Sequence, residues 1–95
     1  MQVRSMEEKF LAACAGHREK AEQLGVRIRP VTDLQQAHRI LSGRRESDGF
    51  HSLAAMGHLE LSLEALAVQK QFTGLFSDEE ANNALTRLLD AGYHF

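Results

Sequence analysis

Residues 50–76 are apolar on nearly every side of any regular structure they adopt, in a protein of only 95 residues. Such a segment has to be buried over most of its circumference, so the rest of the chain must be arranged around it. Positions Phe50, Ala54, Gly57, Leu61, Ala65, Val68, Phe72 and Leu75 step by 4, 3, 4, 4, 3, 4 and 3, which is a continuous helical seam. A second seam runs through Leu53, Met56, Leu59, Leu63 and Leu66. The spacing predicts one long central helix over 50–72, about 35 Å in length, with neighbours on two or three sides. Leu59, Leu61 and Leu63 alternate with Glu60 and Ser62 as in a strand, but 57–67 contains no Val, Ile or Thr and is rich in the helix formers Leu, Glu and Ala. Gly57 costs about 1 kcal/mol relative to Ala inside a helix, so a bend or a closely crossing backbone is expected there.

Around this run the local signals are helical. Ser5 with Glu8 has the pattern of a capping box, Phe10, Cys14, Ala21 and Leu24 come after it at near-helical spacing, and Gly25 sits where a helix stops. A first helix is therefore expected over 6–24. Residues 26–31, VRIRPV, alternate apolar and basic and contain the only proline, which disfavours helix at Arg29. This reads as an extended connector or at most an edge strand. A short second helix begins at Thr32 or Asp33, carries Leu34, Ala37, Ile40 and Leu41, and stops at Gly43. The polar loop 44–49 is expected to be mobile, with Ser47 or Asp48 capping the helix that begins at Phe50. The last helix is capped by Ser77 with Glu80 closing the box, buries Ala81, Ala84, Leu85, Leu88 and Leu89, and ends at Gly92. The expected fold is all-α, a compact single domain spanning 1–95 with about four helices, the first and last packed on the two seams of the central one.

At this length only roughly 60–65% of the unfolded surface is hidden on folding, so an apolar surplus predicts self-association. Leu59, Leu63, Leu66, Tyr93 and Phe95 are the expected members of a homodimer seam or a partner groove. No secretory h-region opens the chain and the charged residues of the central run exclude a bilayer span, which points to a soluble, cytoplasmic protein. The single cysteine, Cys14, falls on the buried face of the first helix and reads as a small core residue.

The chemistry-bearing residues form no catalytic signature. The five histidines include no pair at i, i+3 or i+4; His51 and His58 are seven apart, about 10 Å along a helix, so neither a metal nor a cofactor is expected. Glu60 and Glu64 lie one helical turn apart among leucines and read as a solvated stripe; were Glu64 buried by a partner, Arg39 or Arg45 would be its natural counter-ion. Charge is uneven: residues 1–45 carry nine Lys/Arg against five Asp/Glu, a net +4, and residues 46–95 carry two against eight, a net −6. Arg27 and Arg29 on the connector, with Arg39, Arg44 and Arg45 around the end of the second helix, form the best candidate contact surface for a partner or an anion, because guanidinium groups bind carboxylate and phosphate through forked hydrogen bonds.

Residues 62–95 pair a helix with a short turn and a second capped helix ending in Gly92 and Tyr93. This arrangement resembles the second and third helices of a winged-helix domain. The resemblance implies DNA binding, with Asn82, Asn83, Thr86 and Arg87 facing the groove. Asp78, Glu79 and Glu80 would then meet the phosphates unfavourably. The expected function is that of a small non-enzymatic interaction or regulatory protein, an adaptor, chaperone or inhibitor; the alternative is a DNA-binding transcriptional regulator.

Overall fold

The apolar run does not form one helix, because its own residues stop it twice. Gly57 adopts φ +76°, and the paired bonds His58 N–H to Leu53 C=O (2.8 Å) and Gly57 N–H to Ala54 C=O (3.1 Å) close a left-handed helix stop. No atom lies within 4 Å of where a Gly57 Cβ would stand. The glycine is therefore there for its backbone angle and not to admit a crossing chain. Five residues on, the Ser62 hydroxyl accepts from Ala65 N–H (3.1 Å) and donates to Leu59 C=O (2.7 Å), starting a new helix in a new direction.

The computed structural model describes residues 2–93. Among them are five α-helices: α1 (Gln2–Gln23), α2 (Leu34–Ser42), α3 (Phe50–Met56), α4 (Leu63–Ala67) and α5 (Asp78–Asp90). Two 3-10 turns, Leu59–Leu61 and Lys70–Leu75, flank α4. The all-α expectation is borne out, and no strand occurs among the described residues. The long central helix is corrected to α3, a 3-10 turn, α4 and a second 3-10 turn. Only the middle of the segment is buried throughout: every residue from Leu61 to Ala67 is buried, whereas His51, Ser52, Ala55, Met56, Gly57, Glu60, Lys70, Gln71, Thr73 and Gly74 are exposed. The alternation of Leu59, Leu61 and Leu63 reflects a turn that buries successive leucines on different sides, not a strand.

Two apolar clusters meet at this segment. Leu63, Leu66 and Ala67 join Phe10, Cys14, Ala37, Leu41, Phe72 and Phe76 on one side, whereas Leu59, Leu61 and Ala65 join Ala21, Val26, Phe50, Leu53 and Leu88 on the other. Phe10 is fully buried and meets Phe72 and Phe76 edge-on, with ring centroids 5.2 and 5.1 Å apart. The described chain has a radius of gyration of 12.3 Å and extents of 38 × 25 × 22 Å.

Helix starts differ in how well local sequence specified them. α1 begins upstream of Ser5, which lies inside the helix, so the expected capping box is not its start. At its other end Val26 N–H to Ala21 C=O (2.9 Å) and Gly25 N–H to Glu22 C=O (2.9 Å) close it at the expected glycine. Asp33 caps α2 by accepting from Gln36 N–H (2.8 Å), and the Ser77–Glu80 capping box of α5 is present in full. Neither Ser47 nor Asp48 caps α3; Gly49 does, at φ +75° and without a side-chain bond. A Cβ on Gly49 would stand 2.7 Å from Val26 Cγ1 and 3.1 Å from Ile28 Cγ1, because the connector crosses directly over it.

Candidate functional site

The connector 26–31 is extended, with Val26 buried, Ile28 and Val31 half-buried, and Arg27 and Arg29 exposed. Its alternating sequence therefore turns one face inward and the basic face to solvent. Arg18 of α1 holds it from below, Nε donating to Ile28 C=O (2.8 Å). At its far end Gln36 of α2 donates Nε2–H to Pro30 C=O (3.1 Å) and accepts from both Thr32 N–H and the Thr32 hydroxyl (3.1 Å each). Between connector, α1 and α2 this leaves a cleft of about 270 Å³. Cys14, Ile28, Val31, Ile40, Leu63 and Leu66 supply apolar lining, and Arg18, Arg29, Arg39, His17, Glu46 and Asp48 supply charged or titratable groups.

The five arginines of the candidate surface are all exposed, and the cleft brings only some of them together. Arg29 and Arg39 share its lining, and a more open neighbouring depression joins Arg27 to Arg29. Arg44 and Arg45 line neither. The acids of the cleft already have partners, since Asp48 lies 3.7 Å from Arg29 Nε and Glu46 lies 3.2 Å from His51 Nε2. Arg18 is paired with Glu22 at 3.2 Å. Burial pushes the Cys14 thiol up to about 12, so the wall it forms is apolar and unreactive at neutral pH. Burial and then the charge of Lys20 push the His17 imidazole below its ordinary value against a smaller opposing pull from Glu60, and its Nδ1 is buried without a hydrogen-bond partner.

Glu64 is not part of a solvated stripe. It is fully buried, accepting from Ser47 N–H (2.8 Å) and from the Ser47 hydroxyl, with Arg87 Nη1 at 3.3 Å. The counter-ion is Arg87 of α5, not Arg39 or Arg45, and the burial is done by this chain. The same guanidinium donates to Gly43 C=O (2.6 Å), Leu41 C=O and Ile40 C=O (3.4 Å each), which are carbonyls at the open end of α2. Asn83 adds a bond to Leu41 C=O (3.0 Å), and Glu80 lies 2.7 Å from His38 Nδ1. Glu80, Asn83 and Arg87 thus form a polar stripe at helical spacing that locks α5 to α2. That stripe was readable in the sequence as positions i, i+3 and i+7, but nothing local says that it turns inward. As a result Leu85 and Leu89, expected in the core, are 37% and 56% exposed.

Two expectations about surfaces change accordingly. Leu59, Leu63 and Leu66 are buried at 5, 8 and 2% exposure inside this chain, so they form no open seam or groove. Tyr93 is half-buried against the cluster containing Leu88, and Phe95 lies outside the described residues. Of the four residues expected to face a DNA groove, Asn83 and Arg87 are committed to α2, whereas Asn82 and Thr86 are exposed. Ser47 and Glu64 hold the 44–49 loop down, since the serine directs both its N–H and its hydroxyl to the carboxylate. Among the described residues no group of three or more His, Cys, Asp or Glu is placed to hold a metal ion, and no helix is long and apolar enough to cross a membrane. No protein-family model, curated protein or solved structure matches the chain.

Proposed function

We propose that this chain is a small cytoplasmic interaction or regulatory protein without enzymatic activity, and that it contacts an acidic segment of another protein through its exposed arginines. The observation that carries the reading is the division of labour among the guanidinium groups. Arg87 and Arg18 serve internal contacts, while Arg27, Arg29, Arg39, Arg44 and Arg45 stand exposed along the connector and the end of α2. Apart from Arg29, which lies 3.7 Å from Asp48, these exposed guanidinium groups have no carboxylate partner among the described residues and suit forked recognition of carboxylates and electrostatic steering of an acidic partner. A homodimer, if formed, would use the exposed Leu24, Met56, Leu85 or Leu89 in place of the buried leucines.

Affinity capture from lysate of the source organism, with and without nuclease, tests this reading. The expected result is a stoichiometric protein partner that survives nuclease and is lost when Arg39, Arg44 and Arg45 are replaced by Glu. Recovery that disappears with nuclease transfers the surface to nucleic acid and overturns the proposal. Sedimentation velocity on the same samples reads the oligomeric state.

A further inference from the structure

The cleft between connector, α1 and α2 combines three properties that do not depend on any protein partner. Its volume of about 270 Å³ lies just under the range of roughly 300–1,000 Å³ usual for small-molecule sites. At a share of about 30 Å³ per water-sized unit it holds on the order of nine non-hydrogen atoms. Apolar surface is supplied by three elements at once, with Ile28 and Val31 from the connector, Ile40 from α2 and Leu63 and Leu66 from α4. One of its cations has no carboxylate partner among the described residues. Arg18 is held by Glu22 and Ile28, Arg29 and Asp48 hold each other, and Glu46 is held by His51, which leaves Arg39 as the lining cation with no carboxylate partner among the described residues.

We propose that this cleft binds a small organic anion with an apolar body, a medium-chain aliphatic or an aromatic carboxylate of about nine non-hydrogen atoms, its carboxylate paired with Arg39. The body replaces water against the leucine and isoleucine surface, and the charged end stays at the open side where Arg39 is solvated. Glu46 and Asp48 set the selectivity within this class. Asp48 is paired with Arg29 and Glu46 lies beside the His51 ring, so a single carboxylate on Arg39 is tolerated, but a dianion such as inorganic phosphate is repelled. His17 lines the same cleft, and its Nδ1 is buried without a hydrogen-bond partner.

The test is a backbone amide NMR titration of the full chain with sodium octanoate, and separately with octan-1-ol, octylammonium chloride, sodium phosphate and an acetylated tripeptide ending in Leu-Leu. Octanoate is expected to shift the Cys14, Ile28 and Ile40 amides with a Kd of about 0.1–1 mM. Octan-1-ol is expected to bind about tenfold more weakly, and Arg39→Gln to weaken octanoate by about tenfold while leaving octan-1-ol unchanged. Phosphate should leave these amides in place. Arg39 is exposed, so the variant keeps its fold, and its unperturbed spectrum verifies that. No shift at these amides with 10 mM octanoate (about tenfold above the weakest expected Kd), equal binding of octylammonium, or an unchanged octanoate affinity in Arg39→Gln each overturns the proposal. Tighter binding of the tripeptide than of octanoate also overturns it, by assigning the carboxylate to a chain terminus. Because these arms use no protein partner, their failure leaves the interaction reading standing, and failure of lysate capture leaves the cleft standing.

Discussion

Arg87 on α5 bridges the buried Glu64 carboxylate on α4 and the last carbonyls of α2, at 3.3 Å to the acid and 2.6 Å to Gly43. One side chain thereby gives a buried charge its ionic partner and helps close an open helix end, joining α5 to α4 and α2, while Ser47 ties the 44–49 loop to the same carboxylate. Removing either member leaves the other charged group without its ionic partner in a water-poor site.

Glu64→Ala and Arg87→Ala are each expected to destabilise the chain by about 3 kcal/mol. The double variant Glu64→Ala with Arg87→Ala is expected to cost clearly less than the sum of the single losses, because it removes both charges together. Urea unfolding of the four proteins in a double-mutant cycle measures this, and strictly additive losses would show that the pair is not coupled.

Gly49 and Gly57 share a left-handed backbone but not a neighbourhood. Alanine at Gly57 meets open space, so its cost is the backbone penalty of about 1–2 kcal/mol. Alanine at Gly49 adds a 2.7 Å encounter with Val26 Cγ1 and must displace the connector. Gly49→Ala is expected to unfold at distinctly lower urea than Gly57→Ala, and the reverse order would mean that the connector yields freely.

The α5 cap combines helix initiation with a tertiary contact. Burial by itself raises the Glu80 carboxyl, but Ser77 N–H and His38 outweigh it, and the group stays below its ordinary value. Its contribution is therefore present above the ordinary carboxylate pKa and is lost as pH falls through the lower folded value. Ser77→Ala is expected to cost about 1 kcal/mol at neutral pH. Glu80→Gln should flatten the acid limb of a urea-midpoint profile below about pH 4.5, the ordinary value for the group.

His17 acts at higher pH. Burial and Lys20 lower its folded pKa from 6.5, so the unfolded chain takes up a proton that the folded chain resists. Stability is full above 6.5 and falls as pH drops from there through the folded value. Unfolding midpoints between about pH 5 and 7.5 should slope in the wild type and be flatter in His17→Asn, the imidazole titration window lying in that range.

Cys14 should be nearly silent toward thiol reagents in the folded chain. With its thiol pushed up to about 12, the thiolate fraction at pH 8 is about a thousandfold below that of an exposed cysteine. Labelling that accelerates by on the order of 10³ in denaturant matches this. Rapid labelling of the native chain would place Cys14 in a site that opens readily.

The sequence by itself determined the all-α class, the start of α2 at one of two adjacent residues, the full capping box of α5 and the stops at Gly25 and Gly43, because each local signal rests on residues within a few positions of one another. Glycine and serine between apolar stretches also held the information that breaks the central helix. Hydrophobic periodicity masked it, since two seams continued in register through Gly57 and Ser62. Only the tertiary structure decided which way α5 turns. Its apolar and polar faces compete for the same core, and Glu80, Asn83 and Arg87 face inward only because the open end of α2, Glu64 and His38 are there to meet them. The same distant partners separate arginines with an internal task from those left exposed, and the connector that crosses Gly49 creates the cleft beside Arg39. Such pairings join residues tens of positions apart, and neither the apolar period nor a local cap encodes them.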